Sequence, residues 1–427
     1  MDTDEPRFKG NAGNAPNRDG NEKAERQRKR VRPDTRTDTQ GRGRNVKVVA
    51  APDSFKGSMS AAAAARAIAR GVRRAAPGAQ VVEAPMADGG EGTVEALVAA
   101  TGGRFVEARV EDPLGREVTA RYGVLRGRAT AVIEMAAASG LGLVRPEERN
   151  PMKTSTFGTG QLILDAVTGG AREIIIGIGG SATVDGGTGM ARAVGVKFFG
   201  EDGKALTGGG EILRKIRRVD TSGRERRLQG VKIAVASDVT NVLTGPEGAA
   251  AVYGPQKGAT PEMVRELDEG LKNLAACARR DLGVDVEKMP GAGAAGGLGA
   301  GLAAFLGARI ERGVEIVIEA SGLRGKVRGA DLVFTGEGRV DFQSAYGKTV
   351  SGVARVAKEE GVPAVVLAGS VGEGAERLFE GGVSAILAIA RGPATEAEMM
   401  REAEGLLEQA AEAAMRVFLA GRNRAQE

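Results

Sequence analysis

From Val46 onward, short runs of apolar residues alternate with longer Ala- and Leu-rich stretches. This pattern predicts strands of a mainly parallel sheet and the helices that cover it. Val46–Ala51 reads as a buried strand, and Ser60 as the cap of an Ala-rich helix reaching to about Ala75. Between residues 104 and 135 the pattern changes. Phe105–Val110, Val118–Leu125 and Thr130–Met135 follow one another with turn residues between, which predicts a β-meander of different character. The alternation resumes with apolar runs at 173–178, 231–236, 330–334, 363–368 and 384–389, and a closing helix is expected over 395–420. The expected class is α/β, without a repeat of solenoid period.

Composition narrows the chemistry. The 427 residues include no histidine, no tryptophan, one cysteine and 66 glycines. Without imidazole there is no Ser-His-Asp or Cys-His system and no His-ligated zinc, so a general base must be Asp, Glu, Lys or Tyr. The lone Cys277 forms no intramolecular disulfide, which suits a cytoplasmic protein. The formal charge of +5 is concentrated at one end. Residues 1–44 hold 12 Lys/Arg against 8 Asp/Glu, which leaves 48 against 47 in the rest. That segment is poor in large apolar residues and is expected to be a disordered tail. Its basic run Lys23–Arg32 reads as solvated rather than as a specific nucleic-acid site. No stretch reaches the roughly 18 continuous apolar residues that a membrane helix needs.

The candidate chemistry lies at the strand ends, where ligands bind in open α/β sheets. Successive strands run into Asp53-Ser54-Phe55-Lys56-Gly57, Asp88-Gly89-Gly90-Glu91-Gly92, Gly179-Gly180-Ser181 followed by Asp185, then Asp238 and Asn241, and finally Glu337-Gly338-Arg339 with Asp341. Such a set predicts a rim that handles a small, polar, anionic ligand. Gly179, Gly180 and Ser181 could expose N–H groups to phosphate, or merely make a capped turn. The same loop nearly matches the hydrolase elbow G-x-S-x-G, with Thr183 in the last glycine's place. Lys56 and Lys257 sit in Gly/Pro-rich loops and suit phosphate or carboxylate.

Two further motifs are incomplete. Gly291-Ala-Gly293-Ala-Ala-Gly296 matches the dinucleotide fingerprint G-x-G-x-x-G, yet Lys288-Met289-Pro290 precedes it instead of a clear strand. Gly347-Lys348-Thr349 imitates the end of a P-loop, but Phe342 occupies the place of its first glycine.

At these positions the sequence resembles the bacterial glycerate kinase family, of the type that forms 2-phosphoglycerate. The similarity lies in APDSFKGSMS (51–60), MADGGEGT (86–93), TFGTGQLILDA (156–166), IGIGGSATVDGGTGMA (176–191), DVTNVLTGPEGAAAVYGPQKGAT (238–260), GAGAAGGLGAGLAAFLGA (291–308) and FTGEGRVDFQSAYGKT (334–349). The resemblance implies a Rossmann-like parallel-sheet domain built from both chain ends, here 45–84 and 291–421, with a second α/β domain, 85–290, inserted. It also implies ATP and Mg²⁺ as reactants and D-glycerate as the small-molecule substrate, with neither nucleic acid nor membrane as partner and a homodimer left open. On that expectation Asp185, Asp238 and Lys56 are catalytic candidates, the two aspartates also serving Mg²⁺. Asp53, Ser54, Asp88, Glu91, Arg339 and Asp341 are candidates for substrate, and Gly179, Gly180, Ser181, Lys257, Gly296, Glu337 and Lys348 for the nucleotide. Val184, Val242 and Val350 depart from the family's usual residues. The rival readings are a nicotinamide-dependent hydroxy-acid dehydrogenase using the glycines of 291–296, a kinase forming 3-phosphoglycerate, and a non-catalytic anion binder.

Overall fold

The computed structural model describes residues 46–345 and 347–424, so the tail expected over 1–44 lies outside the described residues. In chain order the strands are β1 (Lys47–Ala50), β2 (Gln80–Glu83), β3 (Arg104–Glu111), β4 (Glu117–Val124), β5 (Thr130–Glu134), β6 (Glu173–Gly177), β7 (Lys197–Phe199), β8 (Arg218–Asp220), β9 (Lys232–Ala236), β10 (Arg309–Glu311), β11 (Leu332–Val340), β12 (Ala364–Val371) and β13 (Val383–Ala388). Five of them form a fully parallel sheet in the order β13-β12-β11-β1-β2, with Val49 opposite Val333 and Val82. Both ends of the body therefore build it.

The second sheet has the order β10-β9-β6-β5-β4-β3. Its β5, β6, β9 and β10 are parallel, whereas β3, β4 and β5 form the expected antiparallel meander. Strand β10 lies beyond residue 291 in the chain but pairs with β9 of this sheet. The short pair β7-β8 stands apart as a two-stranded antiparallel ribbon. Neither β10 nor this ribbon is predicted by the apolar pattern: each strand has three residues, too few for an alternation to register.

One apolar layer joins the two sheets. Val49 and Val333 of the first meet a cluster shared with Val132, Ile175 and Ala236 of the second, and the helices Thr93–Thr101 and Gly313–Ser321 contribute Leu97, Val314 and Val317. On the far side of the first sheet, the helix Ala61–Ala75 packs against the closing helix Glu396–Arg424 through Ile68, Leu407, Ala411 and Met415. Ser60 caps the earlier helix as its position predicts, accepting from the Ala63 N–H at 3.3 Å. The Ala-rich sequence allows this close pairing, and Arg70 fastens it by ion pairs to Glu404 and Glu408. Among the described residues no helix is long and apolar enough to cross a membrane.

Candidate active site

The carboxyl ends of β1, β2, β9 and β11 bring four acidic side chains within each other's fields. Asp53 follows β1, Asp88 follows β2, Asp238 follows β9, and Glu337 lies within β11. The loop after β2 is the wedge between the two sheets. Gly89 has φ +90°, and a Cβ there would stand 2.7 Å from that of Ala236. Only glycine lets this loop lie against the end of β9 and present Asp88 beside Asp238.

Burial, with Asp88's charge added, pushes Asp53 up to about 6, against the opposing hydrogen bond that Thr349 Oγ1 donates at 2.5 Å. Asp238 is raised to about 6 by burial and by Asp88, although the Gly313 N–H donates to it at 3.0 Å and Arg312 and Lys348 face it. Glu337 rises to about 7 through burial and through Asp53 and Asp88; Ser344 Oγ donates to it at 2.7 Å, and Lys348 opposes the rise. Desolvated carboxylates that repel one another form a centre prepared for cations. Among the described residues no three of them close on a single point as a ready ligand set.

Two cavities adjoin the loop after β2. One, of ≈ 390 Å³, is lined by Asp88, Asp238, Gly179, Gly180, Ser181 and Lys257, with Tyr253 and Ala294–Ala295 completing its wall. The other, of ≈ 530 Å³, is lined by Ser54, Lys56, Glu91, Arg121 and Glu134. Asp88 and Glu91 thus stand on either side of one loop, each facing a different cavity.

Lys257 is fully buried, and its Nζ donates to Ser181 Oγ at 2.6 Å and to the Thr183 carbonyl at 2.7 Å. Burial lowers its pKa to about 7, against the pull of nearby Asp185.

Two expectations need correction. Asp185 is wholly buried, and both of its oxygens are engaged. One accepts from the Thr156 N–H, Thr156 Oγ1 and the Gly189 N–H, the other from the Gly187 N–H. It therefore braces a loop and is free neither as a metal ligand nor as a base. Gly296 is likewise buried, at φ +67°, where a Cβ would collide with the Thr183 carbonyl, so its role is close packing rather than nucleotide contact. Arg339 and Asp341 pair with each other at 3.1 Å and, like Asp53, Glu337 and Lys348, are not among the residues that line either cavity.

Arg312, Ser344, Arg121 and Glu134 drew no notice in the sequence, and Thr349 entered only as the end of the incomplete P-loop motif. All five lie outside the Gly-rich strand-end loops used as the signal. Arg312 and Thr349 flank helix starts, a position that would have pointed to them. Two of the family departures, Val184 and Val350, are fully buried packing residues.

The dinucleotide reading loses its context. The strand before Gly291 is β9, with the helix Pro261–Leu282 intervening, and Ala295–Gly297 form a left-handed kink. A fingerprint needs a strand ending at its first glycine.

Comparison with known proteins agrees with this architecture. The model of the glycerate kinase family matches residues 48–419. A glycerate kinase of Halalkalibacterium halodurans is 53% identical over 364 residues, covering 85% of this chain and 96% of that protein. Glycerate 2-kinase of Escherichia coli K12 is 48% identical over 344 residues, covering 81% and 90%. A crystal structure from Salmonella typhimurium LT2 assigned as glycerate kinase 2 superposes with a TM-score of 0.82 at 46% identity, covering 89% of this chain and all of that one. With a match across nearly the whole body and the same α/β architecture, the chain belongs to the glycerate kinase family, a family of phosphoryl-transferring enzymes.

Proposed function

We propose that the protein transfers the γ-phosphoryl group of ATP to the 2-hydroxyl of D-glycerate, forming 2-phosphoglycerate. The observation that carries this reading is the meeting of Asp53, Asp88, Asp238 and Glu337, with Lys348 and Arg312 beside them, next to a cavity that Asp88 and Asp238 line. Phosphoryl transfer asks a protein for charge neutralisation, in-line positioning and one base, all of which a chain without histidine can supply. The relatives named as glycerate kinases and a glycerate 2-kinase support the choice of acceptor.

The triphosphate is assigned to the cavity of Gly179–Ser181. The substrate carboxylate is assigned to the other, where Lys56 and Arg121 offer positive charge and Ser54 a hydroxyl. Asp238 and Asp88 fit Mg²⁺ as oxygen donors in a site completed by water and phosphate, because the charge of Asp88 adds to the negative field at Asp238. When bound, the ion would neutralise charge on the β- and γ-phosphates. Asp53, held by Thr349, accepts the proton of the 2-hydroxyl as that oxygen bonds to the γ-phosphorus and the bridging P–O bond to ADP breaks. Lys348 faces Glu337 and Asp238 and is placed to balance the charge of the moving group.

The test is ADP release with ATP and D-glycerate, followed by NMR of the product. Phosphorus coupled to the single C2 proton is the expected result. Coupling to the C3 methylene would establish the 3-phosphate instead, and ADP release no faster than in a D53N/D238N double variant would overturn the kinase reading.

A further inference from the structure

The contact between Lys257 and Ser181 has a use that phosphate binding does not require. Ser181 lines the ≈ 390 Å³ cavity and Lys257 stands directly behind it, 2.6 Å away, with no room for solvent around the amine. The charged group facing the amine is Asp185, whose oxygens are occupied by the Thr156, Gly187 and Gly189 donors; Asp88, Asp238 and Tyr253 line the cavity that Ser181 faces. No carboxylate within ion-pairing distance of Lys257 offsets its burial among the described residues. Burial without such a partner favours the neutral amine, and its pKa of about 7 agrees. Once neutral, the amine that donates to Ser181 Oγ in the structure can keep an N–H for the Thr183 carbonyl at 2.7 Å and accept from the serine hydroxyl instead.

We propose that Ser181 and Lys257 form a nucleophile–base pair that gives the protein a second activity, the hydrolysis of small activated carboxylic esters in the cavity beside Gly179 and Gly180. Ser181 Oγ bonds to the ester carbonyl carbon while its proton passes to Lys257 Nζ. The tetrahedral adduct collapses, the C–O bond to the alcohol breaks, and the alcohol leaves with the proton from Lys257. Water then attacks the acyl-serine, giving one proton to Lys257 that returns to Ser181 Oγ, so the products are one acid and one alcohol. A serine paired with lysine needs no histidine for this chemistry.

The experiment uses the full chain with p-nitrophenyl acetate as probe. Expected are one acetyl group per chain, mapped by mass spectrometry to Ser181, and a rate that rises with pH through about 7, where the lysine loses its proton. Ser181→Ala and Lys257→Met should each lower the rate by roughly 10²-fold or more, the scale of a lost nucleophile or base. Lys257→Arg offers N–H donors but is always charged and accepts no proton, so it should fail as the methionine variant does. Melting curves establish that the variants are folded. Should they not fold, trapping the wild-type chain with phenylmethylsulfonyl fluoride decides the matter without them. An adduct at Ser181 supports the pair; an adduct elsewhere, none at all, or a wild-type rate equal to that of Ser181→Ala overturns it. Because the probe needs no nucleotide, this outcome is independent of the kinase reaction.

Discussion

Asp53 and Asp185 carry the same functional group, and their surroundings set them opposite tasks. Asp185 receives four hydrogen bonds, three from backbone N–H groups, and lines neither of the two cavities described. Asp185→Asn places an amide against those donors and is expected to cost about 2–4 kcal/mol of stability, read by urea denaturation. Asp53 is strained electrostatically instead. Its folded pKa of about 6, like the value of about 7 for Glu337, lies above that of the unfolded chain, so the folded state holds more protons between roughly pH 4 and 7. Stability of the ligand-free protein should therefore fall as pH rises through that window, while above it Lys257, whose folded pKa of about 7 lies below its unfolded value, contributes a rise of the opposite sign. Melting temperatures between pH 5 and 8 check this. Asp53→Asn should flatten the profile and raise stability at pH 8 by about 1–3 kcal/mol, while lowering kcat by roughly 10²-fold or more. A variant both more stable and nearly inactive is the signature of a residue kept for chemistry.

At the scale of elements, loops hold the site and helix starts complete it. The helix Thr349–Glu359 supplies Thr349 to Asp53 from its first position, and the helix Gly313–Ser321 supplies its first N–H to Asp238. The kink at Ala295–Gly297 folds back over the 183–186 loop, where the Gly186 N–H donates to the Gly296 carbonyl at 3.1 Å. Gly296→Ala is expected to cost more than about 2 kcal/mol, because both the left-handed backbone and the collision with Thr183 oppose it. A chemical melt compared with that of Gly307→Ala, also left-handed but with open space around it, separates the collision from the backbone cost. These facts bear on how far the site can be read from the chain. Asp53, Asp88, Asp238 and Glu337 are legible because acidic residues in Gly-rich loops after apolar runs mark strand ends, and Lys348 is legible only through the incomplete P-loop motif that holds it. Arg312 and Thr349 are not, since an arginine or threonine before a helix has an ordinary structural reading as well. Asp185 shows the converse: its Gly-rich context advertises a site, yet the same glycines expose the N–H groups that consume it.

For the whole molecule, alternation of apolar runs was enough to predict an α/β class and an antiparallel meander, because each strand buries its own residues. Strand order was out of reach. Nothing in the run at 330–334 says that it pairs with 47–50, and only the register of Val48 with Leu332 and Ala50 with Phe334 reveals it. Ligand binding should report the architecture as one unit. With ATP, Mg²⁺ and glycerate together, the melting temperature should rise by more than the sum of the separate increments if the two cavities act across a shared centre, and calorimetry checks whether a single transition persists.

The parallel sheet built from both ends also sets an order in time. When β1 leaves the ribosome it can meet β2, but its other neighbour, β11, follows some 284 residues later, as the hydrogen bond from Thr335 Oγ1 to the Ala51 carbonyl records. All six strands of the second sheet are synthesised in that interval. The second sheet can close while the first still waits with an open edge, and such an edge is a template for wrong partners. A nascent chain stalled just before β11 is thus expected to protect β5, β6 and β9 from hydrogen exchange and to leave β1 unprotected. The centre that carries Asp53 and Glu337 would be the last part of the molecule to exist.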